Sequence, residues 1–375
     1  MKKNTALFLL FIGSVISIFI MSISLSRNLT LQQKTKEDKT IYKKIADGDS
    51  LSYLIIGDSI GRGSGASEKK YKWNKVMERK MKESHNITMR GDTLVQSGAT
   101  AFEGLFKLQS DKNYFSKKYD VIFILFGEND RKYMNSHDFS IIYEALIRSA
   151  KDKHPNAEIV TITENPLRDK DFVDAIKKIS DHYHAAHIDM ITAFSSYPKS
   201  SVALTVDDVH PNDEGYRIYA DTIYDKLMEN TSVTKRIAEL TVPIYADSNF
   251  SFDVLDQFNE QEGFIKENDY YVSHQKGSFI EYSFHGSTVG VKLLRTPEGG
   301  NVDVYIDGEF YTTISTWWPI VKERYLYISN NLTPGLHTIR FVTTGDASIN
   351  NVTSKNVVRL SSIILNRKTM DQPLH

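Results

Sequence analysis

The stretch Tyr53-Leu54-Ile55-Ile56-Gly57-Asp58-Ser59-Ile60-Gly61 constrains this chain most. A short apolar run stops abruptly at Gly-Asp-Ser, which reads as a buried strand delivering a serine hydroxyl to its carboxyl end. Open α/β sheets bind their ligands at that edge. Taken alone, Ser59 could equally cap a helix, and Asp58 could simply brace a turn.

The residues that follow supply the sheet. Val121–Phe126 and Ile159–Thr163 are all-apolar runs, and Phe139–Lys151, Asp171–His184 and Asp213–Asn230 carry helical spacing. Strands that are apolar on both sides and alternate with amphipathic helices predict a parallel sheet covered on both faces, from Leu51 to about Asn230. His154-Pro155-Asn156-Ala157 punctuates a helix end before a strand.

From about Thr241 to Asn366 the texture changes. Ser278–Phe284, Thr288–Leu294, Asn301–Ile306, Arg324–Ile328, His337–Val342 and Val357–Leu365 alternate apolar and polar residues between turn signals. This predicts an antiparallel sandwich or jelly roll, with Asp307-Gly308 as a two-residue hairpin turn. Trp317-Trp318-Pro319, with Tyr311, Tyr325 and Tyr327, concentrates its aromatics. Neighbouring residues on a strand face opposite ways, so one tryptophan is expected in the core and the other exposed. An exposed one suits stacking on a sugar ring. The bland alternative is packing at a sheet edge or against the first domain.

Composition removes several classes. The 375 residues contain no cysteine, which excludes disulfides, a thiol nucleophile and thiolate metal sites. Lys and Arg (46) balance Asp and Glu (47), so no overall field favours nucleic acid. His182, His184 and His187 cluster, but only Asp181 and Asp189 stand near them, and no metal site is expected. At the amino end, Lys2 and Lys3 precede a charge-free run from Ala6 to about Ser26. Roughly 20 residues suffice to span a bilayer, so residues 1–26 are expected to be an uncleaved membrane anchor; the rival reading is a cleaved signal peptide, whose apolar core is usually shorter, about 7–15 residues. Residues 27–50 are polar and charge-rich and read as a tether, with a short helix as the alternative.

Four blocks occur in order: Gly57-Asp58-Ser59, Gln96-Ser97-Gly98-Ala99, Gly127-Glu128-Asn129-Asp130 and Asp207-Asp208-Val209-His210-Pro211. Together they resemble the SGNH (GDSL-type) hydrolase family. The resemblance implies a flavodoxin-like, three-layer α/β/α domain over residues 51–232 and no cofactor. It also implies Ser59 as nucleophile, His210 as base and Asp207 as its orienting carboxylate. The oxyanion hole would comprise the N–H groups of Ser59 and Gly98 and the side-chain amide of Asn129. Ile60 departs from the family's usual leucine, and Asp208 stands where glycine is frequent, so two adjacent carboxylates compete for the orienting role. The domain over 241–368 is similar to jelly-roll or carbohydrate-binding modules found beside such esterases.

The expected function is that of a single-pass, membrane-tethered serine esterase with an extracytoplasmic catalytic domain. It would remove O-acyl groups, O-acetyl above all, from cell-envelope or capsular polysaccharide. An O-acetyltransferase would use the same site and need a separate membrane protein to supply its acyl donor. A non-catalytic surface lectin would lack a catalytic residue, and none is missing. A lipase or thioesterase would want an apolar lid beside the site.

Overall fold

The computed structural model describes residues 39–367 apart from 115. The anchor expected over 1–26 lies outside the described residues, as does most of the tether. Among the described residues no helix is long and apolar enough to cross a membrane.

The last part of the expected tether is not a tether. Residues Ile41–Ala46 form a short helix, α1, capped by Thr40, whose hydroxyl accepts from the Lys43 N–H. Ile41, Tyr42 and Ile45 share one face, and that stripe is buried against the helix Asp213–Ser232, whose Asn230 donates to the Tyr42 hydroxyl at 2.9 Å.

Strands β1 (Leu51–Gly57), β2 (Met89–Val95), β3 (Val121–Leu125), β4 (Glu158–Thr163) and β5 (Ala186–Asp189) form a parallel sheet in the order β2-β1-β3-β4-β5. Its two faces divide the apolar residues of each strand. Leu54 and Ile56 pack with α3 (Ala101–Ser110), α4 (Ser136–Lys153) and α5 (Lys170–His182). Tyr53 and Ile55 pack with α1, α2 (Trp73–His85), α6 (Met190–Ser195) and α7 (Asp213–Ser232). Period-two alternation with both faces covered explains why these strands read as uninterrupted apolar runs. The strand order reverses beside β1, so the carboxyl ends of β1 and β3 border the crevice where such sheets bind ligands.

The chain leaves α7 and crosses the α/β core before it starts a second fold. Ala238, Ile244, Tyr245 and Phe250 join that core. The buried Glu144 carboxylate receives the N–H groups of Ile244 and Tyr245 at 2.7 and 2.9 Å, and the Tyr183 hydroxyl at 2.6 Å.

Two antiparallel sheets follow. One runs β13 (Glu309–Ser315), β12 (Gly300–Ile306), β15 (Leu336–Ala347), β10 (Phe279–His285), β7 (Glu260–Glu262). The other runs β14 (Lys322–Ser329), β11 (Val289–Arg295), β16 (Val358–Asn366), β9 (Tyr270–Ser273), β8 (Ile265–Glu267), with β6 (Phe252–Leu255) on β16. Ile280, Val291, Leu293, Val304, Phe341 and Ile363 are among the residues that fill the space between them. Asp307 and Gly308 both have positive φ, 52° and 86°, as a two-residue hairpin turn of the predicted kind requires.

The outer face of the second sheet is not free. Tyr325 and Tyr327 of β14 meet Phe106 and Phe102 of α3, with ring centroids 4.5 and 5.9 Å apart. Such pairs add about 0.5–1.5 kcal/mol each beyond the area they bury. Of the two tryptophan readings, one core and one exposed ring fails here, whereas packing against the first domain is what Trp318 shows at Gly98. Trp317 and Trp318 lie in the connection between β13 and β14, where strand alternation does not apply, and both are half-buried.

Candidate active site

The four sequence blocks meet at the carboxyl edge of the parallel sheet. Ser59 follows β1 in a turn closed by the Ser64 N–H on its own carbonyl at 2.9 Å. Gly65 completes that turn at φ 100°, and a Cβ there would strike the Pro211 carbonyl, so glycine lets the serine loop close on the histidine loop.

Ser59 Oγ lies 2.9 Å from His210 Nε2, and His210 Nδ1 lies 2.7 Å from Asp207 Oδ2. The second oxygen of Asp207 accepts the backbone N–H groups of Val209 and His210 at 3.2 and 2.8 Å. One carboxylate thus folds the loop and holds the ring, which is what the Asp-x-x-His spacing provides. With Nδ1–H donated to Asp207, Nε2 keeps its lone pair toward the serine hydroxyl. Burial pushes the Asp207 carboxyl up, but the His210 N–H and imidazole outweigh it and hold the group below the usual carboxylate range. Asp208 is exposed at φ 65°. A left-handed position suits glycine and is tolerated by aspartate, so this departure from the family pattern is a matter of backbone. Asn212 caps α7 by accepting from Glu214 and Gly215, both at 3.1 Å, and fixes the histidine loop at a helix start.

Gly98 ends the β2 loop at φ 70°. Asn129 follows β3, and its amide donates to Asp58 Oδ2 at 2.6 Å. A side-chain amide has two N–H groups, so one can anchor while the other serves an oxyanion. Asp58 also accepts from the Ile60 N–H at 2.7 Å, so it braces the serine turn and the asparagine together.

Below lies a group of buried carboxyls that sequence reasoning missed. Burial, with the neighbouring charges of Asp58 and Asp130, holds the Glu164 carboxyl well above its ordinary range. Asp58 is also raised, chiefly by burial, and is hydrogen-bonded to Glu164. Of the two carboxyls Glu164 is held the higher, so it is the one disposed to donate in their hydrogen bond. Asp130 accepts the N–H groups of Ala101 and Gly127 at 2.7 and 3.0 Å, tying the start of α3 to the β3 loop. Burial pushes it up to about 7. Its carboxylate thus serves the start of α3, which precedes it in sequence, rather than the turn that follows it. Glu164 directly follows the apolar β4 at the sheet's functional edge, and that placement is the signal that could have exposed it.

The histidine cluster lies elsewhere. His182 contacts the Val242 carbonyl at 2.7 Å, while His187 sits beside Thr161 and Thr163 at 3.1 and 3.5 Å. Among the described residues no group of His, Asp and Glu is arranged to hold a metal.

This geometry can activate a hydroxyl for attack on an ester carbonyl and can present N–H donors to the tetrahedral oxyanion. Comparison with known proteins agrees with the sequence blocks. The GDSL-like Lipase/Acylhydrolase family matches residues 55–218. Among solved structures, the chain is similar to a two-domain esterase active on acetylated mannans, co-crystallised with mannopentaose. That match has a TM-score of 0.65 and 17% identity over 88% of this chain and 94% of that one. A second structure of a two-domain esterase active on acetylated mannans matches with the same TM-score and identity, over 86% and 93%. At this identity the likeness is one of fold, and it spans both regions. No curated protein matches the sequence.

Proposed function

We propose, on the premise that residues 55–218 make this chain a serine hydrolase of the GDSL-like lipase/acylhydrolase family, that it removes O-acetyl groups from polysaccharide. The observation that carries the reading is the Ser59–His210–Asp207 line, with contacts of 2.9 and 2.7 Å, beside Gly98 and Asn129. His210 takes the proton of Ser59 as Oγ attacks the acetyl carbonyl. The tetrahedral oxyanion is received by the N–H groups of Ser59 and Gly98 and the Asn129 amide. His210 then protonates the departing sugar oxygen, leaving acetyl-Ser59. Water, deprotonated by His210, attacks the acetyl carbonyl; the bond to Ser59 Oγ breaks, His210 returns the proton to Oγ, and acetate leaves.

The two-domain likeness to an esterase active on acetylated mannans supports a glycan as substrate. The charge-free run Ala6–Ser26 supports tethering to a membrane, and the glycan reading, not the charges flanking the run, is what favours a site on its outer side, facing cell-envelope or capsular glycan.

The test is acetate release by the full chain from an aryl acetate and from an acetylated mannan, beside Ser59→Ala. We expect both activities in the parent, and losses of about 10,000-fold or more in the variant. Equal rates for parent and variant would overturn the serine mechanism. Activity on the aryl acetate alone would overturn the glycan assignment.

A further inference from the structure

Gly98 is covered by the second fold. A Cβ on Gly98 would lie 3.0 Å from Trp318 Cη2 and 3.5 Å from its Cζ3, so the indole edge rests against the backbone of this loop. Trp318 is held there from several directions. Its N–H donates to the Thr296 carbonyl at 3.0 Å, directly after the end of β11. The Arg324 and Arg295 guanidiniums stand over its ring, 5.0 and 5.9 Å from the centroid. The register pairs Arg324 with Leu293, which puts Arg295 on the same sheet face as Arg324. Both arginines are buried, and each carries a nitrogen without a hydrogen-bond partner, Nη1 of Arg324 and Nε of Arg295. Two buried cations with idle donors are costly, and an aromatic face beside them offsets part of that cost. Arg324 in turn donates to the Gly98 carbonyl at 2.8 Å and to both oxygens of the buried Glu103 on α3.

We infer that Trp318 is a specificity-determining wall of the hydrolase site, a platform on which the pyranose ring bearing the ester stacks while its acetyl group reaches Ser59. The inference rests on the glycan reading above. Gly98 belongs to the expected oxyanion loop, so a group resting on it borders the place where the acyl carbonyl is received. The indole is half-buried rather than fully enclosed, and the residues after it continue an apolar rim, with Ile320 60% and Val321 64% exposed. A sugar's C–H face meets an aromatic face favourably, and an indole fixed by its neighbours has little freedom left to lose on binding. The second fold is therefore part of the catalytic cleft.

The experiment compares the full chain with Trp318→Ala and Trp318→Phe on an aryl acetate and on an acetylated mannooligosaccharide. For Trp318→Ala we expect kcat/KM on the oligosaccharide to fall about 10-fold or more, mostly through KM, as loss of a central aromatic anchor does. The aryl acetate, which has no sugar ring to stack, should fall by a clearly smaller factor, and Trp318→Phe should recover much of the loss on the oligosaccharide. Equal losses on both substrates would mean that Trp318 only props the oxyanion loop, and no loss on either would mean that it lies outside the site. Both outcomes overturn the inference. A parent that releases no acetate from the oligosaccharide overturns the glycan reading and this inference with it. Equal release by parent and Trp318→Ala overturns this inference alone.

Discussion

The two halves of the molecule bury opposite charges. In the α/β half the buried charged side chains are mostly acids, including Asp58, Glu103, Asp130, Glu144, Glu158 and Glu164. Among the described residues of the β half, the buried Asp, Glu, Lys and Arg side chains are Arg295 and Arg324. The acids are mostly answered within their own half, by backbone N–H groups, tyrosines or a neighbouring carboxyl. Glu103 is answered from across the boundary, by Arg324, together with Lys107 at 2.9 Å. The catalytic line is a local product of one half, while the shape of the oxyanion loop depends on a cation supplied by the other.

Breaking that crossing should have the largest effect. Arg324→Met leaves Glu103 buried beside Lys107 alone, and an unpaired buried charge typically costs about 3–5 kcal/mol, an upper range here because Lys107 remains. Urea unfolding should show that loss, and kcat on an aryl acetate should fall as the Gly98 loop loosens. Adding Glu103→Gln should recover part of the stability. Additive losses in the double variant would show that the two halves are not coupled through this pair.

A smaller effect tests the acid side. If Glu164 is a proton-holding donor to Asp58, then Glu164→Gln keeps the donor and should leave kcat within about 3-fold, whereas Glu164→Leu removes it and should lower kcat about 10-fold through a misplaced Asn129. Equal losses in the two variants would show that shape, and not the hydrogen bond, matters at this position.

The smallest effect belongs to the β half away from the site. His337 contacts Asp307 and the Thr333 carbonyl, each at 2.6 Å. Burial pushes the imidazole down, but these two acceptors outweigh it and leave it raised. A raised histidine contributes stability fully below its unfolded value of about 6.5 and loses it as pH rises through the folded value. Asp307 is held low, burial being outweighed by the Thr338 N–H and His337, so its contribution is lost only in acid. Thermal melting should therefore shift down by about 1–2 °C from pH 6 to pH 8, and His337→Asn should flatten that slope. An unchanged slope in the variant would locate the titration elsewhere.

How much of this was legible depends on the range of each interaction. Strand and helix periods were readable because burial on one or two faces repeats every few residues. The Asp207–His210 pairing was readable because it closes within three residues. A short helix was an option for residues 27–50, but the docking of Ile41–Ala46 was missed because six residues carrying two lysines look polar until their buried stripe finds α7. Glu164 was missed because a carboxyl after a strand ordinarily marks a solvent-facing end. Trp318 and Arg324 act on Gly98 from more than 200 positions away in sequence, and no local pattern encodes such a contact.

The central claim is that Ser59 forms the acyl-enzyme. The direct measurement is to treat the full chain with an aryl fluorophosphonate, map the adduct by peptide mass spectrometry and follow acetate release in the same samples. We predict a single adduct on Ser59, activity lost in proportion to labelling, and labelling slowed strongly in His210→Ala. Adduct formation elsewhere, or full activity with Ser59 completely labelled, would contradict the account.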